Sequence, residues 1–315
     1  MQFGVPLPTF RQVASPDAIR RVAERAEALG FDGVWVSDHI VIPGSELDRF
    51  ARGFGDPTGI GRLIYEPLTA LGFAAACTSR IRLGTTVLVV PYRNPLVTAK
   101  MLSTLDVLSG GRITAGVAVG WMEEEFKALG VPFKERGAIS DEYLAAIKAL
   151  WTQDQPAFHG RYARFENIAF EPKPAQKPHI PLWIGGNSRS AIRRAVALGD
   201  AWHPTRALVE DIKAGGAYLK DVCGEQGRDP RSLIIAARLP LKFYDGPEVA
   251  VKRRPLLGGT QKIIADISQY RDAGVQYILL DTFYSASELE RETVESILET
   301  MERFADDVMP KFQDS

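Results

Sequence analysis

The strongest constraint on the fold is a unit that recurs along the chain: an amphipathic helix, a glycine and a short apolar strand. In the first unit, the apolar residues from Ile19 to Leu29 recur at helical spacing and define one buried face. Gly30 follows where a helix end favours left-handed backbone, and the strand 34–36 comes next. The unit returns at further glycines, which are Gly110, Gly199 and Gly274. This order predicts parallel strands joined by helices.

We predict eight strands in the 315-residue chain, at 3–7, 33–38, 82–90, 113–118, 181–185, 201–203, 233–243 and 275–281. Eight such units fit a (β/α)8 TIM barrel, which typically takes ~250 residues plus insertions. A doubly wound sheet is the alternative, but no GxGxxG motif follows the first strand. The prediction is therefore a single barrel domain over residues 1–315, with insertions at about 42–65, 122–136, 155–180 and 244–259.

Three of the insertions carry local predictions. The segment 42–65 is rich in glycine and proline and predicts a long loop after strand two, of a kind that often covers a site. The segment 155–180 predicts a small hairpin followed by a proline-stiffened connection. The segment 244–259 leads into Thr260, a residue type that caps helices.

Composition limits the class of protein. Lys and Arg number 38 and Asp and Glu 39, so the net charge of −1 gives no electrostatic case for nucleic acid or an anionic membrane. Cys77 and Cys223 are the two cysteines and form no CxxC pair, which disfavours a structural zinc and favours a reducing compartment. We expect no signal peptide, because an apolar strand-like run starts at Phe3 without a basic leader, and no apolar run reaches the roughly 18 residues that a membrane helix needs. We expect a cytoplasmic protein.

In a TIM barrel the active site lies at the carboxyl ends of the strands, so residues there are the candidates. Strand two ends in Asp38 and His39, and strand six ends in His203. The candidates from strands three, four and five are Thr86, Val87, Leu88, Gly120, Trp121, Ile184, Gly185, Gly186, Asn187 and Ser188. These ends show no matched acid pair, no GxSxG or GKS/T motif and no metal-ligand spacing. The pattern predicts no metal, and an organic cofactor held by backbone groups and apolar walls.

The most specific of these candidates is the turn that follows the apolar run 182–184. Gly185 and Gly186 let a ligand approach the backbone with no Cβ in the way. A helix that starts at Ser188 would present unpaired N–H groups and the positive end of its dipole. The turn is either a phosphate site or a tight connection between a strand and a helix.

In this order and spacing, the motifs resemble the bacterial-luciferase-like flavin and deazaflavin oxidoreductases over essentially the whole chain. The anchors are ALGFDGVWVSDH at 28–39, IRLGTTV at 81–87, the glycines of 110–120, PLWIGGNS at 181–188 and ALGDAW at 197–202. The compact length and the run GVPFKERG at 130–137 look most like the branch that uses the 8-hydroxy-5-deazaflavin coenzyme F420. The resemblance implies a TIM barrel, and a homodimer as the usual assembly.

The resemblance also implies roles for single positions. His39 would lie by the reactive edge of the cofactor ring, with Asp38 before it. Asp38 is either a direct contact of the cofactor or a structural residue that binds backbone at a strand end. Thr86 and Val87 match the position of a non-proline cis peptide bond that backs the tricyclic ring.

Further roles follow on the other side of the predicted ring. Gly120 and Trp121 match residues near the ring and the cofactor side chain, and 185–188 matches the phosphate turn. Trp121 is either a wall of the site or a core plug. It stands where the sugar-phosphate dehydrogenase branch has a catalytic carboxylate, which argues against oxidation of a sugar phosphate. The acidic run 123–125 is interpreted as a solvated first helical turn, where negative charge is favourable.

We therefore predict an oxidoreductase that transfers a hydride between F420 and a small organic substrate, with His39 and Asp38 as the catalytic residues and His39 handling one proton. One alternative is a two-component monooxygenase that uses reduced FMN and O₂, with a reductase as partner. Another is a barrel that binds a flavin without turnover. His203 is either a site residue or a core histidine. Arg253 and Arg254 are either surface charge or contacts for the anionic tail of the cofactor.

Overall fold

A computed structural model of the protein describes residues 1–11, 13–44, 63–244, 255–282 and 293–312. The strands are β1 (Gln2–Pro6), β2 (Gly33–Val36), β3 (Arg82–Thr85), β4 (Leu88–Val89), β5 (Ile113–Ala118), β6 (Phe158–His159), β7 (Arg164–Phe165), β8 (Leu182–Gly185), β9 (Ala201–His203), β10 (Ile234–Pro240), β11 (Lys242–Phe243), β12 (Leu257–Gly258) and β13 (Val275–Asp281). The α-helices are α1 (Pro16–Ala28), α2 (Pro67–Cys77), α3 (Pro95–Leu108), α4 (Glu123–Ala128), α5 (Arg136–Thr152), α6 (Arg189–Leu198), α7 (Val209–Gln226), α8 (Thr260–Asp272) and α9 (Val294–Asp307). Within the ranges just given, no helix has both the length and the apolar character needed to cross a membrane.

Eight of the strands close into a parallel barrel. Their order around it is β1, β2, β3, β5, β8, β9, β10 and β13. β3 pairs with β5, and β13 returns to β1, where Gln2 lies beside Tyr277. Helices lie between successive strands along the chain. The TIM barrel is thereby confirmed, and the doubly wound sheet is excluded because such a sheet has open edges.

The first helix shows how the sequence sets these elements. Ser15 accepts a hydrogen bond from the amide of Ala18 and so caps α1, and Pro16 fits the first helical position. The apolar residues from Ala18 to Ala26 are buried, as their helical spacing predicts. Gly30 has a φ of 81°, so the left-handed helix end predicted there is present.

The predicted strands lie within about two residues of those in the structure. Three match at both ends: 113–118, 201–203 and 275–281. The prediction of one continuous strand over 82–90 is wrong, because a cis peptide bond between Thr86 and Val87 separates β3 from β4. The predicted strand 233–243 is likewise divided, into β10 and β11.

The insertions bear out one local prediction and correct another. The hairpin expected in 155–180 is confirmed, since β6 and β7 pair antiparallel. The capping role of Thr260 is wrong: Gly259 precedes α8 without a side-chain cap, and the Thr260 hydroxyl accepts from Arg303 at 3.2 Å. Most of the loops 42–65 and 244–259, with Arg253 and Arg254, lies outside the described residues.

Large aromatic side chains fill the barrel interior. Trp35 stacks on Trp183 with ring centroids 4.6 Å apart, and its indole N–H donates to the hydroxyl of Tyr277 at 2.8 Å. Glycines on neighbouring strands make room for these rings. A Cβ on Gly84 would lie 2.3 Å from the Trp35 ring, and one on Gly4 would lie 2.1 Å from the Tyr277 oxygen. The packing of these rings therefore requires glycine at positions 4 and 84.

Replacing Gly84 with alanine should destabilise the barrel by roughly 1–3 kcal/mol, because the added methyl overpacks the interior against Trp35. Urea unfolding gives the free energy. The control is Gly224→Ala on α7, where a Cβ meets nothing within 4 Å and helix propensity predicts a gain of up to about 1 kcal/mol. Equal stability of Gly84→Ala and the wild type would contradict the tight packing.

Candidate active site

The carboxyl ends of the barrel strands bring together residues that are far apart in sequence. Asp38 and His39 follow β2, and His203 is the last residue of β9. Arg238 lies on β10, and Asp281 is the last residue of β13. Hydrogen bonds connect several of these side chains across the mouth of the barrel.

Arg238 joins two sides of the mouth. It pairs with Asp281 on the neighbouring strand at 2.8 Å and donates to the carbonyl oxygen of Thr86 at 2.7 Å. Ser37 donates to the same oxygen at 3.3 Å. This carbonyl belongs to the cis peptide bond between Thr86 and Val87, so the bond implied by the resemblance is present and is held by two donors.

His203 makes hydrogen bonds at both ring nitrogens inside the barrel. Nδ1 lies against the carbonyl oxygen of Ala236, which only accepts, so Nδ1 carries the proton. Nε2 then accepts from the hydroxyl of Thr86 at 2.9 Å. Burial lowers the pKa of His203 to about 4, so the ring is neutral at pH 7. Of the two roles left open for His203, the structure shows the core histidine, which here holds Thr86.

Asp38 is buried and bound on both carboxylate oxygens. It accepts from the amide of Val89 at 2.9 Å, and Arg93 donates to its two oxygens at 2.7 and 2.9 Å. Arg93 also pairs with Glu66 at 2.9 Å. These contacts agree with the alternative in which Asp38 is a structural residue that binds backbone at a strand end. They hold the end of β2 against Val89 and Arg93, which follow the cis bond in the chain.

His39 lies against a buried carboxylate. The prediction of a solvated acidic turn holds for Glu123 and Glu124, which are exposed, but it is wrong for Glu125. The Glu125 side chain is 0 % exposed, and its Oε2 lies 2.7 Å from Nδ1 of His39. The His39 side chain keeps 16 % of its surface exposed, so it connects this buried acid with the mouth.

Other donors fix the Glu125 carboxylate in place. Oε1 accepts from the amides of Ile40 at 2.7 Å and Val41 at 3.2 Å, and Oε2 accepts from the hydroxyl of Tyr92 at 2.8 Å. Burial acts to raise the pKa of Glu125, but the hydrogen bond and the charge of His39, with these donors, hold it below its ordinary value. Glu125 is therefore ionised at neutral pH.

Gly120 and Trp121 lie on the side of His39. Trp121 is 52 % exposed, and its ring is nearly perpendicular to that of His39, with centroids 6.2 Å apart. It is a surface residue beside His39 and not a core plug. Gly120 has a φ of 81°, and a Cβ there would lie 2.6 Å from Val89, so the turn after β5 requires glycine.

The packing of the barrel requires both glycines of the turn at the end of β8. A Cβ on Gly185 would lie 2.7 Å from the side chain of Val87. Gly186 has a φ of 125°, and its amide donates at 3.2 Å to the last carbonyl of β9. The Asn187 side chain donates to the carbonyl of Thr205 at 2.8 Å and accepts from its amide at 3.0 Å. These contacts hold the turn against β9.

The start of α6 is the part of this turn that offers donors. The Ser188 hydroxyl caps the helix by accepting from the amide of Ala191 at 3.2 Å. In the described part of the chain, no group accepts a hydrogen bond from the amides of Arg189 and Ser190. The turn therefore presents a helix N-terminus of the kind that binds anions, as its sequence predicts.

The apolar candidates are divided between the core and the mouth. Leu88 and Ile184 are buried in the main hydrophobic core, so their side chains do not reach the mouth. Val87 is half-buried next to Gly185. Among the predicted apolar residues, Val87 and Trp121 are therefore the ones with exposed surface.

Sequence reasoning missed the charged and hydroxyl partners of this site. These are Glu125, Tyr92, Arg93, Arg238 and Asp281. Arg238 had a visible signal, since it interrupts an otherwise apolar strand. No group of three or more His, Cys, Asp or Glu side chains that could hold a metal occurs among the residues described here.

The closed barrel places the protein among the TIM-barrel proteins, whose ligands typically bind at the carboxyl ends of the strands, where the candidate residues lie. Within this class, the chain belongs to the luciferase-like monooxygenase family, whose sequence model matches residues 1–312. The resemblance inferred from the motifs is thereby confirmed. The family points to an enzyme that acts on small molecules.

Three comparisons show the range of related proteins. A protein of unassigned activity from Mycobacterium tuberculosis is 35 % identical over 240 residues, which is 75 % of this chain and 83 % of that protein. The FMNH₂-dependent dimethylsulfone monooxygenase of Pseudomonas putida is 34 % identical over 201 residues, which is 63 % of this chain and 51 % of that protein. The coenzyme F420-dependent tetrahydromethanopterin reductase of Methanopyrus kandleri shares the fold, with a TM-score of 0.77 and 18 % identity over 99 % of each chain.

Folding stability should fall on mild acidification because His203 stays neutral in the fold. Its pKa of about 4 lies below the ~6.5 of an unfolded histidine, so between these values the unfolded chain binds one more proton. The stability that this histidine contributes is present above about pH 6.5 and is lost as the pH falls toward 4. Between about pH 7 and pH 5 the loss is roughly 1–2 kcal/mol, measurable by urea unfolding.

Two variants isolate this effect from other groups that titrate in the same range. His159 is exposed, so His159→Gln should lose as much stability as the wild type over this interval. His203→Gln should be less stable than the wild type at pH 7. Between pH 7 and pH 5 it should lose roughly 1–2 kcal/mol less stability than the wild type does. An equal pH dependence in all three proteins would show that His203 is not the buried neutral group.

Proposed function

We propose that the protein is an oxidoreductase that transfers a hydride between coenzyme F420 and a small organic substrate. The observation that carries the proposal is His39, held by buried Glu125 and partly exposed at the barrel mouth. Ser37, two residues earlier, is bonded to Thr86, so the histidine and the cis bond share one part of the mouth. Hydride transfer between an alcohol and a carbonyl also moves one proton, which an imidazole can hold near neutral pH.

The residues at the mouth fit a phosphate-bearing tricyclic cofactor. Val87 and Trp121 give apolar surface for a ring, and the N-terminus of α6 behind Ser188 suits a phosphate. Bound F420 would supply a two-electron hydride carrier. The chain's own groups then need only exclude water, orient the substrate and move one proton at His39. The other proposed contacts act through their backbone or by shaping the turns: Thr86, Leu88, Gly120, Ile184, Gly185, Gly186 and Asn187.

A second candidate is a monooxygenase that uses reduced FMN and O₂ on the same scaffold. The observation in its favour is the 34 % identity over 201 residues with the FMNH₂-dependent enzyme of Pseudomonas putida. A separate reductase would then supply the reduced flavin. FMN and F420 both carry a phosphate, so the start of α6 does not distinguish them.

We also propose a homodimer formed through α2 and α3. The sequence of α2, PLTALGFAAAC, is apolar on all sides, and its Phe73 side chain is exposed. On α3, Val97, Met101 and Leu108 share one face by helical spacing, and Leu108 is 75 % exposed. Large apolar residues exposed together indicate an interaction surface. A second copy fits it, because an uncharged apolar face is complementary to itself under twofold symmetry.

A cofactor titration tests the proposed function. The purified protein is titrated anaerobically with F420 and with FMN, each oxidised and reduced, while ring fluorescence is followed. We expect micromolar binding of F420 and at least roughly tenfold weaker binding of FMN, a difference of about 1.4 kcal/mol. Tight FMN binding without F420 binding would end the first proposal and favour the second, and binding of neither would overturn both.

A matched pair of variants adds the location of the phosphate to the same titration. Ser190→Asp puts a negative charge in the first turn of α6, where it favours the helix but repels a bound phosphate. We expect it to weaken cofactor binding by at least about tenfold. Ser190→Ala, which adds no charge, should bind as the wild type does. Equal binding by both variants would place the phosphate elsewhere.

The homodimer has its own prediction. Val97→Glu places a charge on the shared face near the start of α3, where the helix itself tolerates it. Sedimentation should show about twice 34.7 kDa for the wild type and 34.7 kDa for Val97→Glu. Leu208→Glu, at an exposed position next to α7, is the control and should remain dimeric. A monomeric wild type would contradict the proposal.

A further inference from the structure

We propose that Glu125 is a positioning residue, which holds His39 in the tautomer with its proton on Nδ1 and so assigns proton exchange with the substrate to Nε2. This inference rests on the proposed function, in which His39 moves the proton. The inference adds Glu125 to the site: the sequence pattern predicts a solvated side chain there, but in the structure this side chain is buried.

The chemistry of the donors around Glu125 fixes the tautomer. An ionised carboxylate only accepts hydrogen bonds, and Oε2 lies 2.7 Å from Nδ1 of His39. In the neutral imidazole one nitrogen carries the proton and the other carries a lone pair. Because Nδ1 must donate to Glu125, the lone pair lies on Nε2. A proton can then be accepted at Nε2 without loss of the bond at Nδ1.

The carboxylate cannot rotate away from this arrangement at low cost. Oε1 is held by the amides of Ile40 and Val41, and Oε2 by the hydroxyl of Tyr92. Burial and the neighbouring carboxylate raise the pKa of Tyr92 above its ordinary value, so its hydroxyl remains a donor at neutral pH. The partly exposed His39 side chain reaches from Glu125 to the mouth. The buried bonds thus fix the histidine ring plane.

The proton transfer balances without any change at Glu125. When a substrate hydroxyl gives its proton, the O–H bond breaks, an N–H bond forms at Nε2 and the ring becomes an imidazolium. The electron pair of the O–H bond stays on the substrate oxygen. The new positive charge lies beside the negative charge of Glu125, which favours it. In the reverse direction Nε2 returns the proton, and Glu125 stays ionised throughout.

The nitrogen resonances of the histidines test the proposal without a bound cofactor. The chain has 4 histidines, so ¹⁵N-histidine labelling of the full-length protein gives few signals, and His39→Asn identifies those of His39. In the wild type, at a pH where the His39 imidazole is neutral, we expect its Nδ1-protonated tautomer. Observation of the Nε2-protonated tautomer would overturn the proposal, and this measurement needs no variant of Glu125.

Substitution of Glu125 by glutamine should invert the tautomer. The two backbone amides require an acceptor at Oε1, so the glutamine carbonyl takes that place and its amide group faces His39. Nδ1 of His39 must then accept, which moves the proton to Nε2. Glu124→Gln, the same change at the exposed neighbour, should leave the tautomer unaltered. An unchanged tautomer in a folded Glu125→Gln protein would also overturn the proposal.

Turnover separates this proposal from the proposed function. With cofactor and substrate, Glu125→Gln should lower kcat by at least about 100-fold with little change in KM, because proton transfer is lost but binding is kept. Glu124→Gln should keep wild-type turnover. Normal turnover in Glu125→Gln would refute the role of Glu125 and leave the proposed function standing. Failure of the wild type to bind either cofactor would refute the proposed function, while the tautomer experiment would still decide what Glu125 does to His39.

Discussion

One arginine connects opposite walls of this barrel, and the arrangement of the mouth depends on it. Arg238 lies on the seventh barrel strand and reaches the carbonyl of Thr86 at the break in the third, while Asp281 balances its charge. Removal of one partner from a fully buried pair costs about 3–5 kcal/mol, which is an upper bound here because Arg238 is partly exposed. The cis bond, Ser37 and His203 all meet at Thr86. The contacts that fix the geometry of the site therefore also stabilise the barrel.

Two buried carboxylates at the mouth have partners of different kinds. Asp38 is neutralised by Arg93, whose charge does not change at any physiological pH. Glu125 is paired instead with the imidazole of His39, which keeps part of its surface exposed. The first pair holds the chain around the cis bond, and the second orients the ring to which we assign proton transfer. Neighbouring residues of one strand end are thus held by a guanidinium and by a carboxylate.

The periodic part of the sequence predicted the fold, because each strand and each helix face depends on local spacing. Strand bounds such as 201–203 and 275–281 follow from short apolar runs that come after the helix-ending glycines Gly199 and Gly274. The cis bond between Thr86 and Val87 was implied by the family resemblance and could not come from periodicity, since both residues suit a strand. Glu125 was missed for a tertiary reason: its burial depends on donors from Ile40 and Tyr92, which lie 85 and 33 residues away.

The closure of the barrel also sets an order of events during synthesis. β1 needs two neighbours, and one of them is β13, where Gln2 pairs with Tyr277 across 275 residues. Until residues 275–281 leave the ribosome, one edge of β1 presents unpaired backbone groups beside apolar side chains, a template for pairing with other chains.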